Sequence, residues 1–202
     1  MSKKLSEMSL EELWQLFPIC LTKHDERWAT WYAEEQLTLK KYLSAEWVKR
    51  ISHIGSTAVK GIWAKPIIDI LVEVIPESDL QQVKPVLEKA GYLCMSDSSE
   101  RLSFNKGYTE NGFAERVFHL HLRRAGDNDE LYFRDYLNAH PDVAKEYEKL
   151  KLSLWKQYEH DRDGYTERKT AFVRKYTRMA KVEFVDRYGK YSIPVALTRR
   201  VK

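Results

Sequence analysis

The chain has 202 residues, 43% hydrophobic and 32% charged, which is enough apolar material for one folded domain and too much for a disordered chain. Its 34 basic and 30 acidic residues leave a formal charge of +4, which gives no strong nucleic-acid signal and suits a small anionic ligand. Cys20 and Cys94 form no Cys-x-x-Cys pair, glutamates interrupt the apolar residues at the N-terminus, and no stretch is long and apolar enough to span a membrane, so a cytoplasmic protein is expected.

In chain order, Ser9-Leu-Glu-Glu12 is a capping box, and a short helix follows it within an N-terminal helical extension over residues 1–20. Pro18 ends that helix. Asp25 to Leu43 carries Trp28, Trp31, Tyr32, Leu39 and Leu43 near the spacing of one helical face. Trp47 to Ile54 alternates loosely and runs into Gly55-Ser56-Thr57, as a strand entering a tight loop does. Pro66 to Val74, rich in β-branched residues and apolar on both faces, predicts a central strand. Leu80 to Ala90 predicts an amphipathic helix stopped by Gly91, with strands over Leu102–Tyr108 and Arg116–Arg123 on either side of the Asn111-Gly112 turn. From about residue 130 to 187 the chain reads as helical, with Pro141 in a first turn, a break at Asp163-Gly164 and a restart at Tyr165. A basic tail occupies 189–202. The whole is a single α+β domain, a mixed sheet flanked by helices with a helical C-terminal half.

Several residues point to chemistry. Asp69 lies inside an oily strand, where an ionised carboxylate needs a cation, a metal or several donors. Strand geometry puts Asp69, Leu71 and Glu73 on one face. The competing reading is a structural carboxylate paired with Lys65 or a capping amide. His53-Ile-Gly-Ser-Thr57 supplies a small-residue loop whose amides and hydroxyls can wrap a phosphate, although most Gly-Ser pairs are plain turns. His119 and His121 share a strand face as metal ligands, proton carriers or half-buried structural histidines. On helices, Tyr147 with Lys151 and Tyr165 with Lys169 form pairs four apart. These lysines hold phosphate or lie as solvated charges, and Arg134-Asp135 is a surface pair or a phosphate clamp.

Taken together, His53-Ile-Gly-Ser-Thr-Ala-Val59, Lys65-Pro-Ile-Ile-Asp-Ile70, His119-Leu-His121, Phe133-Arg-Asp-Tyr-Leu137, Ala139-His-Pro141 and Tyr147-Glu-Lys-Leu-Lys151 closely resemble the GrpB-like family. The resemblance runs from about Leu21 to Arg178 and includes Asp161, Tyr165, Lys169 and Phe172. That family looks like a branch of the nucleotidyltransferase superfamily, whose signature is Gly-Ser followed by a strand with two aspartates one residue apart. The resemblance assigns phosphate binding to Gly55 and Ser56 and a metal to Asp69. Leu71 stands where the second aspartate belongs, and Lys60 stands where the family has proline. It implies a nucleoside triphosphate as substrate and a divalent metal, magnesium, manganese or zinc, with His119 and His121 making up the ligand set of Asp69. His53, Thr57, Lys65, Arg134, Lys151 and Lys169 complete the expected phosphate site. The alternatives are a catalytically inactive module that binds a nucleotide or another phosphorylated small molecule, and a metal-binding hydrolase built on Asp69, His119 and His121.

Overall fold

A computed structural model describes residues 3–189, so the expected basic tail lies almost wholly outside the described residues. Five strands, β1 (Val48–Ile54), β2 (Ile68–Val74), β3 (Leu93–Asp97), β4 (Arg101–Thr109) and β5 (Gly112–Arg124), form one sheet in the order β1-β2-β5-β4-β3. Among the described residues six α-helices accompany them: α1 (Leu10–Leu16), α2 (Arg27–Tyr42), α3 (Leu80–Lys89), α4 (Asp129–Ala139), α5 (Pro141–Trp155) and α6 (Arg162–Glu183). Only β2 and β5 run parallel, and every other neighbouring pair is antiparallel. The architecture is a mixed α+β sheet with helices on both faces.

Strand alternation divides the core. Ile68, Ile70, Val72 and Val74 of β2, with Phe118, Leu120 and Leu122 of β5 and Leu102 and Phe104 of β4, point toward α2 and α3. Trp28, Trp31 and Leu39 of α2 meet them, as the helical spacing predicts. The opposite face is polar and lies under α4, α5 and α6, which have an apolar cluster of their own around Tyr136, Leu137, Tyr147 and Tyr176. The register sorts this polar face into three rows that cross β1, β2, β5 and β4. Ile54, Asp69, His119 and Asn105 form the first row, and Ser52, Leu71, His121 and Ser103 the second. Arg50, Glu73, Arg123 and Arg101 form the third.

Local chemistry explains the element ends. Ser9 accepts the Glu12 N–H while the Glu12 carboxylate takes the Ser9 N–H, the reciprocal cap expected. The expected helix break at Asp163-Gly164 is instead the first turn of α6. Asp161 caps that helix by accepting the Gly164 N–H at 2.8 Å, and a Cβ on Gly164 would strike the same carboxylate at 2.3 Å. The actual interruption is the stretch 156–161 between α5 and α6. β3 was not foreseen at all. The N-terminal segment is laced into the fold, because Ile19 donates its N–H to the Glu159 carbonyl and accepts from the Trp155 indole. Among the described residues no helix is long and apolar enough to cross a membrane.

Candidate functional site

The tight turn after β1 sits against the first row of the polar face. At Gly55 the backbone has φ 71° and ψ −170°, a region essentially closed to residues with a side chain. A Cβ there would lie 2.2 Å from Asp69 Oδ2, so glycine lets the turn rest directly on the carboxylate. Beyond it, Ser56–Ala58 makes one 3-10 turn. Thr57 is fixed by donating its hydroxyl to the Ile67 carbonyl at 3.1 Å.

Asp69 faces two imidazoles. Its Oδ1 is 3.4 Å from His119 Nδ1 and 3.7 Å from His121 Nε2, and its side chain keeps 27% of its exposure. Burial raises the carboxyl's pKa, but the two imidazoles outweigh that effect and hold it well below the usual carboxylate range. The hydrogen-bond partners select the tautomers. His119 turns Nδ1 to an acceptor-only carboxylate, which leaves Nε2 to accept from the Tyr108 hydroxyl at 2.8 Å. His121 Nδ1 lies 3.4 Å from Arg123 Nη2, a group that only donates, so its proton sits on Nε2 facing Asp69. Burial also depresses the pKa of His119, which favours its neutral form.

Asp69, His119 and His121 open, with Gly55, Ser56, Thr57 and Lys65, onto a cavity of about 720 Å³ between the sheet and the last three helices. α5 contributes Tyr147 and Lys151, and α6 contributes Arg162, Tyr165 and Lys169. Lys169 Nζ stands 4.0 Å and Lys65 Nζ 5.5 Å from the centre of the Tyr165 ring. Lys151 lies 4.9 Å from the centre of the Tyr147 ring and donates to the Trp63 carbonyl. Burial first, then mutual repulsion, brings Lys65 to about 8 and Lys151 and Lys169 to about 7. Burial also pushes the Tyr147 hydroxyl up to about 12, against a hydrogen bond with Ser56. Among the described residues, Lys65, Lys169 and Arg162 have no carboxylate within ion-pair distance.

Two expected phosphate ligands lie elsewhere. His53 points to the other side of β1, where it stacks on Tyr32 with ring centres 4.8 Å apart and bonds the Thr57 hydroxyl at 2.9 Å. Burial there lowers its pKa to about 4. Arg134 is not part of the cavity wall. It donates to the His53 carbonyl at 2.8 Å and to the Tyr188 hydroxyl at 2.9 Å, and it pairs with Asp135. Both residues brace the turn from behind.

The donor set does not fit the expected divalent metal. Leu71, in the second aspartate's position, is fully buried against Ile54 and Leu131. Glu73, the next carboxylate on that face, has no exposure; it pairs with Arg50 and accepts from Asn128 Nδ2 and the Gly126 N–H. Among the described residues no three His, Cys, Asp or Glu side chains form a group that could hold an ion.

Sequence reasoning missed Arg162, Arg174 and Arg178 of α6 and the acids Asp129 and Glu130 at the start of α4, all of which line the cavity. A signal was present, since Arg162, Tyr165, Lys169, Val173 and Thr177 recur three or four apart and so mark one helical face.

Comparison with known proteins agrees with the motif content. A family profile described as GrpB protein matches residues 18–179. The glutamate-rich protein GrpB of Alkalihalophilus pseudofirmus is 40% identical over 162 residues, which span 77% of this chain and 91% of that protein. The UPF0157 protein YqkA of Bacillus subtilis is 32% identical over 184 residues, 88% of this chain and 52% of the relative, so the chain spans about half that protein's length. The crystal structure of conserved protein GrpB from Enterococcus faecalis superposes with a TM-score of 0.69 at 30% identity, covering 82% of this chain and 99% of the other. By family profile, sequence relatives and solved structure alike, the chain belongs to the GrpB family.

Proposed function

We propose that the chain binds a small phosphorylated ligand, a nucleotide foremost, in the cavity between the polar sheet face and α4–α6. The observation that carries this reading is the convergence of Lys65, Lys151, Lys169 and Arg162 on one cavity that also holds the Gly55-Ser56-Thr57 turn. Ammonium groups kept from water and from counter-ions raise the energy of the empty site, and an anion with several oxygens relieves it. The Ser56 hydroxyl at the turn suits a ligand that accepts hydrogen bonds. Ligand binding to the folded state alone raises the melting temperature, so a thermal-shift panel of nucleotides and phosphorylated metabolites tests the reading. A rise with at least one of them is expected. A panel without any shift would remove the support.

A second reading, transfer of a nucleotidyl group, is favoured by the Tyr108–His119–Asp69 chain. An acceptor hydroxyl placed beside Tyr108 can pass its proton to the Tyr108 oxygen as the Tyr108 proton moves to Nε2 of the neutral His119 imidazole. Asp69 would then orient the ring and stabilise its charged form. Release of pyrophosphate from a nucleoside triphosphate, lost in Asp69→Asn while nucleotide binding persists, is the expected signature. Binding without release would leave the chain as a nucleotide-binding module.

A further inference from the structure

We infer that the cavity takes a chain of two or three phosphates without a divalent metal, Lys65, Lys151, Lys169 and Arg162 supplying the positive charge that a metal ion would otherwise bring. This rests on the phosphate-binding reading above and names the ligand's charged part. The first support is the failed carboxylate set. A magnesium ion shared with phosphates is held by protein carboxylates, and on this face Leu71 has replaced one while Arg50, Asn128 and Gly126 occupy the other, Glu73. Asp69 is left alone.

The second support is charge balance. Four basic side chains face one carboxylate at this end of the cavity. Of the cavity's other acids, Asp129 pairs with Lys181 and Glu130 acts on Arg123. Lys181, which pairs with Asp129, comes twelve residues after Lys169, a distance of about 18 Å along the helix axis. Glu148, which acts on Lys151, is already engaged by Lys145 and by the Trp63 N–H. A single phosphate at roughly −2 leaves positive charge uncompensated, whereas a chain of phosphates matches the cluster.

The third support is independent of the lysines. The Tyr165 side chain is 1% exposed and lines the cavity, and its buried hydroxyl has no hydrogen-bond partner among the described residues. An unpaired buried hydroxyl is costly, and a phosphate oxygen is the acceptor it lacks. It stands where Lys65 and Lys169 share its ring.

Calorimetric titration of the full chain with tripolyphosphate, ATP, AMP and orthophosphate, each in EDTA and in excess magnesium, tests this directly. Tripolyphosphate and ATP are expected to bind in EDTA, at least tenfold more tightly than AMP or orthophosphate, and magnesium is expected to weaken them by screening the phosphates. Lys169→Gln and Lys65→Gln are each expected to weaken tripolyphosphate roughly tenfold, with unchanged circular dichroism. Binding that appears only with magnesium or manganese, or AMP binding as tightly as ATP, overturns the inference and leaves the phosphate reading standing. Both lysine variants binding normally also overturns it. No binding by any phosphate compound under any condition ends the phosphate reading itself.

Discussion

Asp69 and Glu73 sit on the same face of β2, two strand repeats apart, and their surroundings are opposite. Glu73 is closed off, with no exposure and with Arg50, Asn128 and the Gly126 N–H filling its acceptor positions. Asp69 keeps 27% of its side-chain exposure, rests on Gly55 and meets only two imidazoles, at 3.4 and 3.7 Å. One carboxylate is consumed in holding the sheet to the start of α4. The other is held ionised at the edge of a cavity. A carboxylate in an oily strand is therefore not by itself a functional mark, and what separates the two is whether fixed protein donors have already used it.

The contrast can be broken from either end. The largest stability loss is expected for Glu73→Ala, which strands Arg50 and two buried donors. A loss of about 3–5 kcal/mol in denaturant unfolding is predicted, with phosphate binding by the surviving folded protein unchanged. Gly55→Ala places a methyl group on Asp69 and forces alanine into a glycine-only conformation. It should cost about 2 kcal/mol or more, visible as a melting temperature lowered by roughly 4–8 °C, and should abolish the ligand-induced shift.

The lysines give a pH signature with a definite sign. Lys169 is brought to about 7 in the folded protein from an ordinary 10.5, so between those values the unfolded chain binds more protons than the folded one. Its contribution makes the protein more stable as pH rises from 7 to 10 and less stable as pH falls back. Lys169→Met should flatten that slope in unfolding curves taken at pH 7, 8.5 and 10, and saturating tripolyphosphate should flatten it in the unaltered chain. Asp69→Asn takes the ionised acceptor from both imidazoles and should cost about 1 kcal/mol or more in denaturant unfolding. This variant should bind tripolyphosphate more tightly, through removal of a repelling charge, as calorimetry would show.

The sequence made most of this geography legible where one local rule acted without competition. The capping box at Ser9, the apolar stripe of α2 and the β-branched run of β2 lie where expected. β3 escaped notice because Leu93–Asp97 is an edge strand, exposed at four of its five positions, with no buried alternation to read. Gly164 was misread as a breaker because a glycine in a first helical turn looks like one that ends a helix, and the local cap signal, Asp161 three residues earlier, was not read as a helix start. In the site, Asp69, His119, His121, Lys65, Lys151 and Lys169 do share one cavity. His53 could have been separated from them by parity, since it alternates with Ile54 along β1 and so faces away. Arg134 could not, because its partners, the His53 carbonyl and Tyr188, are brought to it only by folding.

The most direct measurement is a crystal structure of the full chain grown with tripolyphosphate in EDTA. Density within hydrogen-bond distance of Lys65, Lys169 and the Tyr165 hydroxyl, beside the Gly55-Ser56 turn and with no metal ion, is the predicted result. Clear density for the protein with this cavity empty, or with the phosphates bound on another surface, would contradict it.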